Sequence, residues 1–144
     1  MSALRTLVVS SRPLSWVNTA FPFGLTYYLF VGEFDALFVV GSLFFLIPYN
    51  VLMYGINDVF DYESDLRNPR KGGVEGALLP PELHRPMLLV STLLPLPFLV
   101  PLVAWGSVAS TGVLALALFF VVAYSAKNIR FKEVPFVDSV TSSL

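Results

Sequence analysis

The chain has 144 residues, 56% of them hydrophobic and 13% charged, with a mean hydropathy of +0.73. That composition excludes an ordinary soluble domain and places the chain in a bilayer. Its net charge is −1 and it has no cysteine, so disulfide and thiol chemistry are excluded, and nucleic acid is not expected as a partner.

Arg5 and Arg12 precede a first apolar span at about 14–32, and a second follows at about 36–56; each is long enough to cross roughly 30 Å of hydrocarbon as a helix. The second span runs into Asn57-Asp58-Val59-Phe60-Asp61-Tyr62-Glu63-Ser64-Asp65. On a helix turning about 100° per residue, Asp58, Asp61 and Asp65 share an arc of roughly 60°, with Asn57 on its flank and Glu63 pointing away. Three acids at one point repel one another unless a hard divalent cation holds them ionised. Mg²⁺ suits the role, because it takes few carboxylates and fills its other positions with water and phosphate oxygens. Asn50 and Tyr54 extend the same face into the membrane, where a polar stripe faces a bundle interior or cavity rather than lipid. For Asn50 alone, a hydrogen bond between helices accounts for the residue equally well.

The segment from Leu66 to Arg85 is rich in glycine, proline and charge. Arg67 and Lys71 within it are candidates to grip a phosphate that the metal also holds. The lone histidine, His84, reads as an interfacial residue without a catalytic part. A third span is expected at about 86–105 and a fourth at about 108–125. Pro22, Pro48, Pro95, Pro97 and Pro101 fall inside the spans and are expected to kink them. Tyr124, Lys127, Arg130 and Lys132 follow the fourth span; the three cations join the phosphate-binding candidates, and Tyr124 joins Asn50 and Tyr54 as a cavity-lining candidate. A fifth span covers 134–144, about half of the roughly 20 residues a crossing needs, so the sequence reads as part of a longer protein.

All nine Lys and Arg fall before the first span or in the second-to-third and fourth-to-fifth connections. By the positive-inside rule, the N-terminus, both basic connections and the aspartates are expected on the cytoplasmic side of the cytoplasmic membrane. Acids that hold Mg²⁺ beside cations that hold phosphate oxygens define a diphosphate site.

At these residues the chain resembles the UbiA-type intramembrane prenyltransferases. Their first aspartate-rich motif, N-D-x-x-D-x-x-x-D, ends the second helix, and Asn57 to Asp65 matches every specified position. Tyr124 to Lys132 is similar to a Tyr- and Lys/Arg-bearing segment of that family, and Ser11-Arg12-Pro13 resembles its approach to the first helix. Within the superfamily, the stretches Ser10 to Thr19, Ile47 to Asn50, Tyr54 to Gly76 and Phe131 to Asp138 look most like lycopene elongases.

The resemblance implies an all-α membrane protein whose full bundle has roughly nine helices, of which this chain holds the first four to five. It implies Asn57, Asp58, Asp61 and Asp65 as catalytic residues, with the three aspartates on Mg²⁺. It also implies an allylic diphosphate donor such as dimethylallyl diphosphate and lycopene as the hydrophobic isoprenoid acceptor, in the synthesis of fifty-carbon carotenoids. A quinone precursor, a porphyrin or a chlorin is the alternative acceptor. The family's second aspartate-rich motif is not in this sequence and Asp138 does not replace it. The 144-residue chain alone is therefore expected to be inactive, and a non-catalytic truncated membrane protein is the other alternative.

Overall fold

A computed structural model describes residues 3–69, 71, 76 and 78–125 of the chain. The expected fifth span at 134–144, and Lys127, Arg130 and Lys132, lie outside the described residues. All regular structure among the described residues is helical: α1 (Ala3–Ser10), α2 (Trp16–Val31), α3 (Ala36–Leu46), α4 (Pro48–Phe60), α5 (Tyr62–Asp65), α6 (His84–Leu93), α7 (Leu96–Trp105) and α8 (Val108–Ser125).

The boundaries follow from local chemistry. Gly32 ends α2 in the left-handed conformation, its N–H donating to Tyr28 O at 2.8 Å. Asp35 then caps α3 by accepting from Phe38 N at 2.8 Å. This bond, with the Tyr27 hydroxyl donating at 2.7 Å, holds the Asp35 carboxyl below the usual carboxylate range. A depressed value means that the cap's contribution is complete above the ordinary carboxylate range and is lost as pH falls through the lowered value. At the start of α8, Ser107 Oγ accepts from Ser110 N at 3.1 Å.

Pro48 and Pro95 divide the second and third expected spans into α3 with α4 and α6 with α7, whereas Pro22 and Pro101 stay inside α2 and α7. The Pro48 joint is satisfied from within. Asn50, fully buried, donates its side-chain amide to Phe45 O at 2.9 Å, Leu46 O at 3.1 Å and Thr19 Oγ1 at 2.7 Å. Thr19 in turn donates to Phe45 O at 2.6 Å. Carbonyls freed by the proline thus find partners without water, which an apolar surrounding requires. Counted across these joints, Ala36–Phe60 and Pro81–Trp105, at 25 residues each, and Val108–Ser125, at 18, are long and apolar enough to cross a membrane. The first expected span is the 16-residue α2, preceded by a 3-10 turn at Pro13–Ser15.

Helices α2 and α3 pack together, α3 against α7, and α4 against α1, α6 and α8. The α4–α6 contact is close because Gly55 has no side chain: a Cβ there would collide with Ser91 Oγ, which donates to Val51 O at 3.0 Å, and would crowd Met87. We therefore expect Gly55→Val to destabilise the protein by about 1–3 kcal/mol, read as a lower thermal midpoint in detergent. An unchanged midpoint would mean that these helices do not pack closely in the membrane.

Candidate functional site

The C-terminal end of α4 gathers charge from four places in the chain. Asp58, on the last turn of α4, is 1% exposed, and Asp65, ending α5, is 8% exposed. The Lys71 ammonium lies between them, 2.7 Å from Asp58 Oδ1 and 2.8 Å from Asp65 Oδ2. Arg12 Nη2 approaches Asp58 Oδ1 at 3.5 Å, with its guanidinium 4.2 Å above the Tyr54 ring. The helical repeat survives the α4–α5 joint, because Asp61 N donates to Asn57 O at 2.9 Å and Asp65 N to Asp61 O at 2.8 Å. That is why Asp58 and Asp65 share a side while Glu63 is exposed.

Asp61 stands at the joint itself, between α4 and α5, and is half-buried; the described residues contain no group of three His, Cys, Asp or Glu side chains placed to hold one ion. The acids present nevertheless suit a divalent cation. Asp58 Oδ2 is buried without a hydrogen-bond partner among the described residues. Gly76, at φ +98°, lies beside it, and a Cβ there would stand 3.3 Å from that oxygen. A cation already bridges Asp58 and Asp65 in the form of the Lys71 ammonium. Hard oxygen donors around a buried positive charge are the donor set Mg²⁺ uses.

Asn57 accepts from the Ser125 hydroxyl at 2.9 Å, which ties the end of α8 to this pole. Tyr124, on the same last turn, is half-buried, and Arg67 is exposed on the turn after α5. His84 is structural: its Nε2 lies 3.0 Å from Leu79 O and its ring meets Tyr62 edge-on. Asn50 serves the Pro48 joint. At the opposite pole a cavity of about 370 Å³ is lined mainly by apolar groups, among them Phe23, Phe45, Leu102 and Leu114, with Tyr27 and Ser110 as its polar members. Asn50, Tyr54 and Tyr124 do not line it.

Arg12 is the site residue that sequence reasoning missed. Its backbone is left-handed, with φ 51° and ψ 71°, the one non-glycine positive φ among the described residues. Such a conformation costs of order 1–3 kcal/mol and persists where its surroundings fix it. Here the Arg12 N–H donates to Val9 O at 3.0 Å, its carbonyl accepts from Ser15 N at 2.7 Å, and the guanidinium is held by Tyr54 and Asp58. The signal was its position in Ser11-Arg12-Pro13, before the first span and on the same side as the acids.

These features define an integral-membrane helical bundle with a buried carboxylate–cation site at one pole. Against proteins of known function, the chain is 58% identical over 143 residues to the lycopene elongase/hydratase of Corynebacterium glutamicum, covering 99% of this chain and 50% of that protein. It is 61% identical over 140 residues to the C(50) beta-cyclic carotenoids biosynthesis protein LbtBC of a Dietzia species, covering 97% of this chain and 32% of that protein. The lycopene elongase/hydratase of Halobacterium salinarum is 38% identical over 147 residues, at 97% and 51% coverage. The chain is a partial-length relative of the lycopene elongase/hydratases and spans about half the length of the first of these curated relatives. No protein-family model and no solved structure matches it.

Removing Arg12 leaves Asp58 with Lys71 as its cation among the described residues. Arg12→Met is expected to lower stability by about 1–3 kcal/mol, and adding Asp58→Asn to recover part of that loss. Thermal unfolding of the two single variants and the double variant in detergent measures the coupling, and strictly additive losses would remove the pair.

Proposed function

We propose that the full-length protein transfers a prenyl group from an allylic diphosphate, dimethylallyl diphosphate, to an end of lycopene, in the synthesis of fifty-carbon carotenoids. The observation that carries this reading is the buried pair Asp58 and Asp65 around one positive charge, in a chain whose relatives are named for lycopene elongation. A transporter would place its ion site near the membrane midplane, whereas these acids sit at a helix end beside cationic segments.

Asp58 and Asp65, with Asp61 beside them, would hold Mg²⁺, which when bound supplies positive charge to the departing diphosphate oxygens. Asn57, fixed by Ser125, orients the site. Arg12 and Lys71, with Arg67, Lys127, Arg130 and Lys132, neutralise the phosphates. The allylic C–O bond breaks, its electron pair leaves with pyrophosphate, and the terminal double bond of the acceptor forms the new C–C bond. The cation left on the acceptor then loses a proton or takes up water. Tyr54 and Tyr124 stand near the pole where positive charge develops. The apolar interior excludes water and accommodates an isoprenoid acceptor. With the basic segments cytoplasmic by the positive-inside rule, the donor arrives from the cytoplasm.

The test is expression of the full-length protein in lycopene-producing cells, with pigments analysed by mass. Wild type is expected to yield carotenoids heavier by one or two five-carbon units. Asp58→Ala and Asp61→Ala, checked for membrane insertion, should reduce them by about 100-fold or more, while Glu63→Ala should not. Unaltered lycopene from well-inserted wild-type protein would exclude this acceptor, and wild-type turnover by both aspartate variants would remove the metal assignment.

A further inference from the structure

The Asp58 and Asp65 carboxylates are already paired with cations of the chain itself. Among the four side chains joined there, Asp58 and Asp65 contribute two negative charges and Arg12 and Lys71 two positive ones. The Lys71 side chain is 5% exposed and that of Asp58 fully buried, so this balance is struck out of water, where an uncompensated charge is expensive. A divalent cation entering between Asp58 and Asp65 would meet the Lys71 ammonium in the same place and add two positive charges to four side chains already in balance. Divalent metal alone is therefore disfavoured.

Two orphaned polar atoms indicate what would relieve the conflict. Among the described residues, Asp58 Oδ2, an acceptor, and Arg12 Nε, a donor, are both buried without partners, and both lie 3.3 Å from the point where a Cβ on Gly76 would stand. The acceptor suits a metal and the donor suits an anionic oxygen. A group carrying both, a divalent cation paired with a diphosphate, satisfies the two atoms together and brings the negative charge that a displaced ammonium needs.

We infer that Lys71 is the aspartates' own counter-cation, and that it yields its place between Asp58 and Asp65 to a divalent cation only when a diphosphate arrives to receive it. Metal and diphosphate thus bind with positive coupling, and Lys71 is the residue that couples them. The inference rests on the prenyl-diphosphate reading of the site and adds how that site loads. It separates Lys71 from the exposed Arg67, which holds no such place.

The experiment is Mn²⁺ binding, followed by electron paramagnetic resonance of the full-length protein in lipid nanodiscs, at matched free Mn²⁺ with and without pyrophosphate. In the wild type, pyrophosphate is expected to tighten Mn²⁺ binding by roughly 5- to 150-fold, the usual span of coupling between two ligands. Lys71→Met should bind Mn²⁺ alone more tightly than wild type and show little further gain from pyrophosphate, while Lys71→Arg keeps the wild-type coupling. Lys71→Met binding Mn²⁺ alone no better than wild type overturns the inference and leaves the diphosphate site standing. Should Lys71→Met fail to fold, wild type alone decides, because pyrophosphate-independent Mn²⁺ affinity also overturns it. Absence of Mn²⁺ binding in every protein under both conditions removes the diphosphate reading and the inference with it.

Discussion

The carboxylate of Asp58 is the constraint around which one end of the molecule is built. A negative charge fully removed from water inside an apolar bundle needs compensation on the spot, because effective desolvation penalties run to several kcal/mol per ion. The chain supplies that compensation from both sides in sequence, with Arg12 from before α2 and Lys71 from the segment after α5. The left-handed backbone at Arg12 follows from this demand: the turn between α1 and α2 is bent so that its guanidinium reaches Tyr54 and Asp58. Glycine at position 76 answers to the same point, since its φ of +98° favours glycine and a Cβ there would press on the carboxylate at 3.3 Å.

Close packing along α4 keeps that point fixed. Asn50 repairs the break at Pro48, Gly55 admits α6, and Ser125 anchors α8 to Asn57. Three polar or small residues on one helix each settle a different neighbour, so the register of Asp58 relative to the rest is determined before any ligand is considered. Polar side chains inside a membrane bundle carry this burden because apolar contacts discriminate poorly between helix and lipid.

Much of this was legible in the chain itself. Apolar length gave the helices, and the helical spacing of Asp58 and Asp65 their common side. Proline positions marked the joints, although nothing local distinguished Pro48 and Pro95, which divide their helices, from Pro22 and Pro101, which do not. Lys71 read as a phosphate ligand but holds the aspartates in the structure, and Arg12 read only as a topological charge. Both differences have one cause. Periodicity reports which residues share a face of one element, whereas a salt bridge across 46 or 13 residues of sequence depends on where separate elements meet. Asn50 shows the same limit: its place on the polar stripe was evident, its use on the carbonyls beside Pro48 was not.

The two poles of the bundle are chemically opposite, and their separation bears on the proposed reaction. Thirteen residues along the α3–α4 segment part Phe45, at the apolar cavity, from Asp58; at 1.5 Å per residue this is about 20 Å. A charged diphosphate and a hydrocarbon acceptor have no solvent in common, so an enzyme joining them must hold one at a polar end and the other within the membrane. Under the prenyl-transfer reading, the carboxylate–cation pole immobilises the part of the donor that leaves, and its allylic carbon points toward the apolar interior. Ionisation then produces a cation in surroundings with little water to capture it, and the acceptor's double bond is the nucleophile within reach. The same low polarity that makes the buried aspartates expensive to maintain is what directs the cation to carbon.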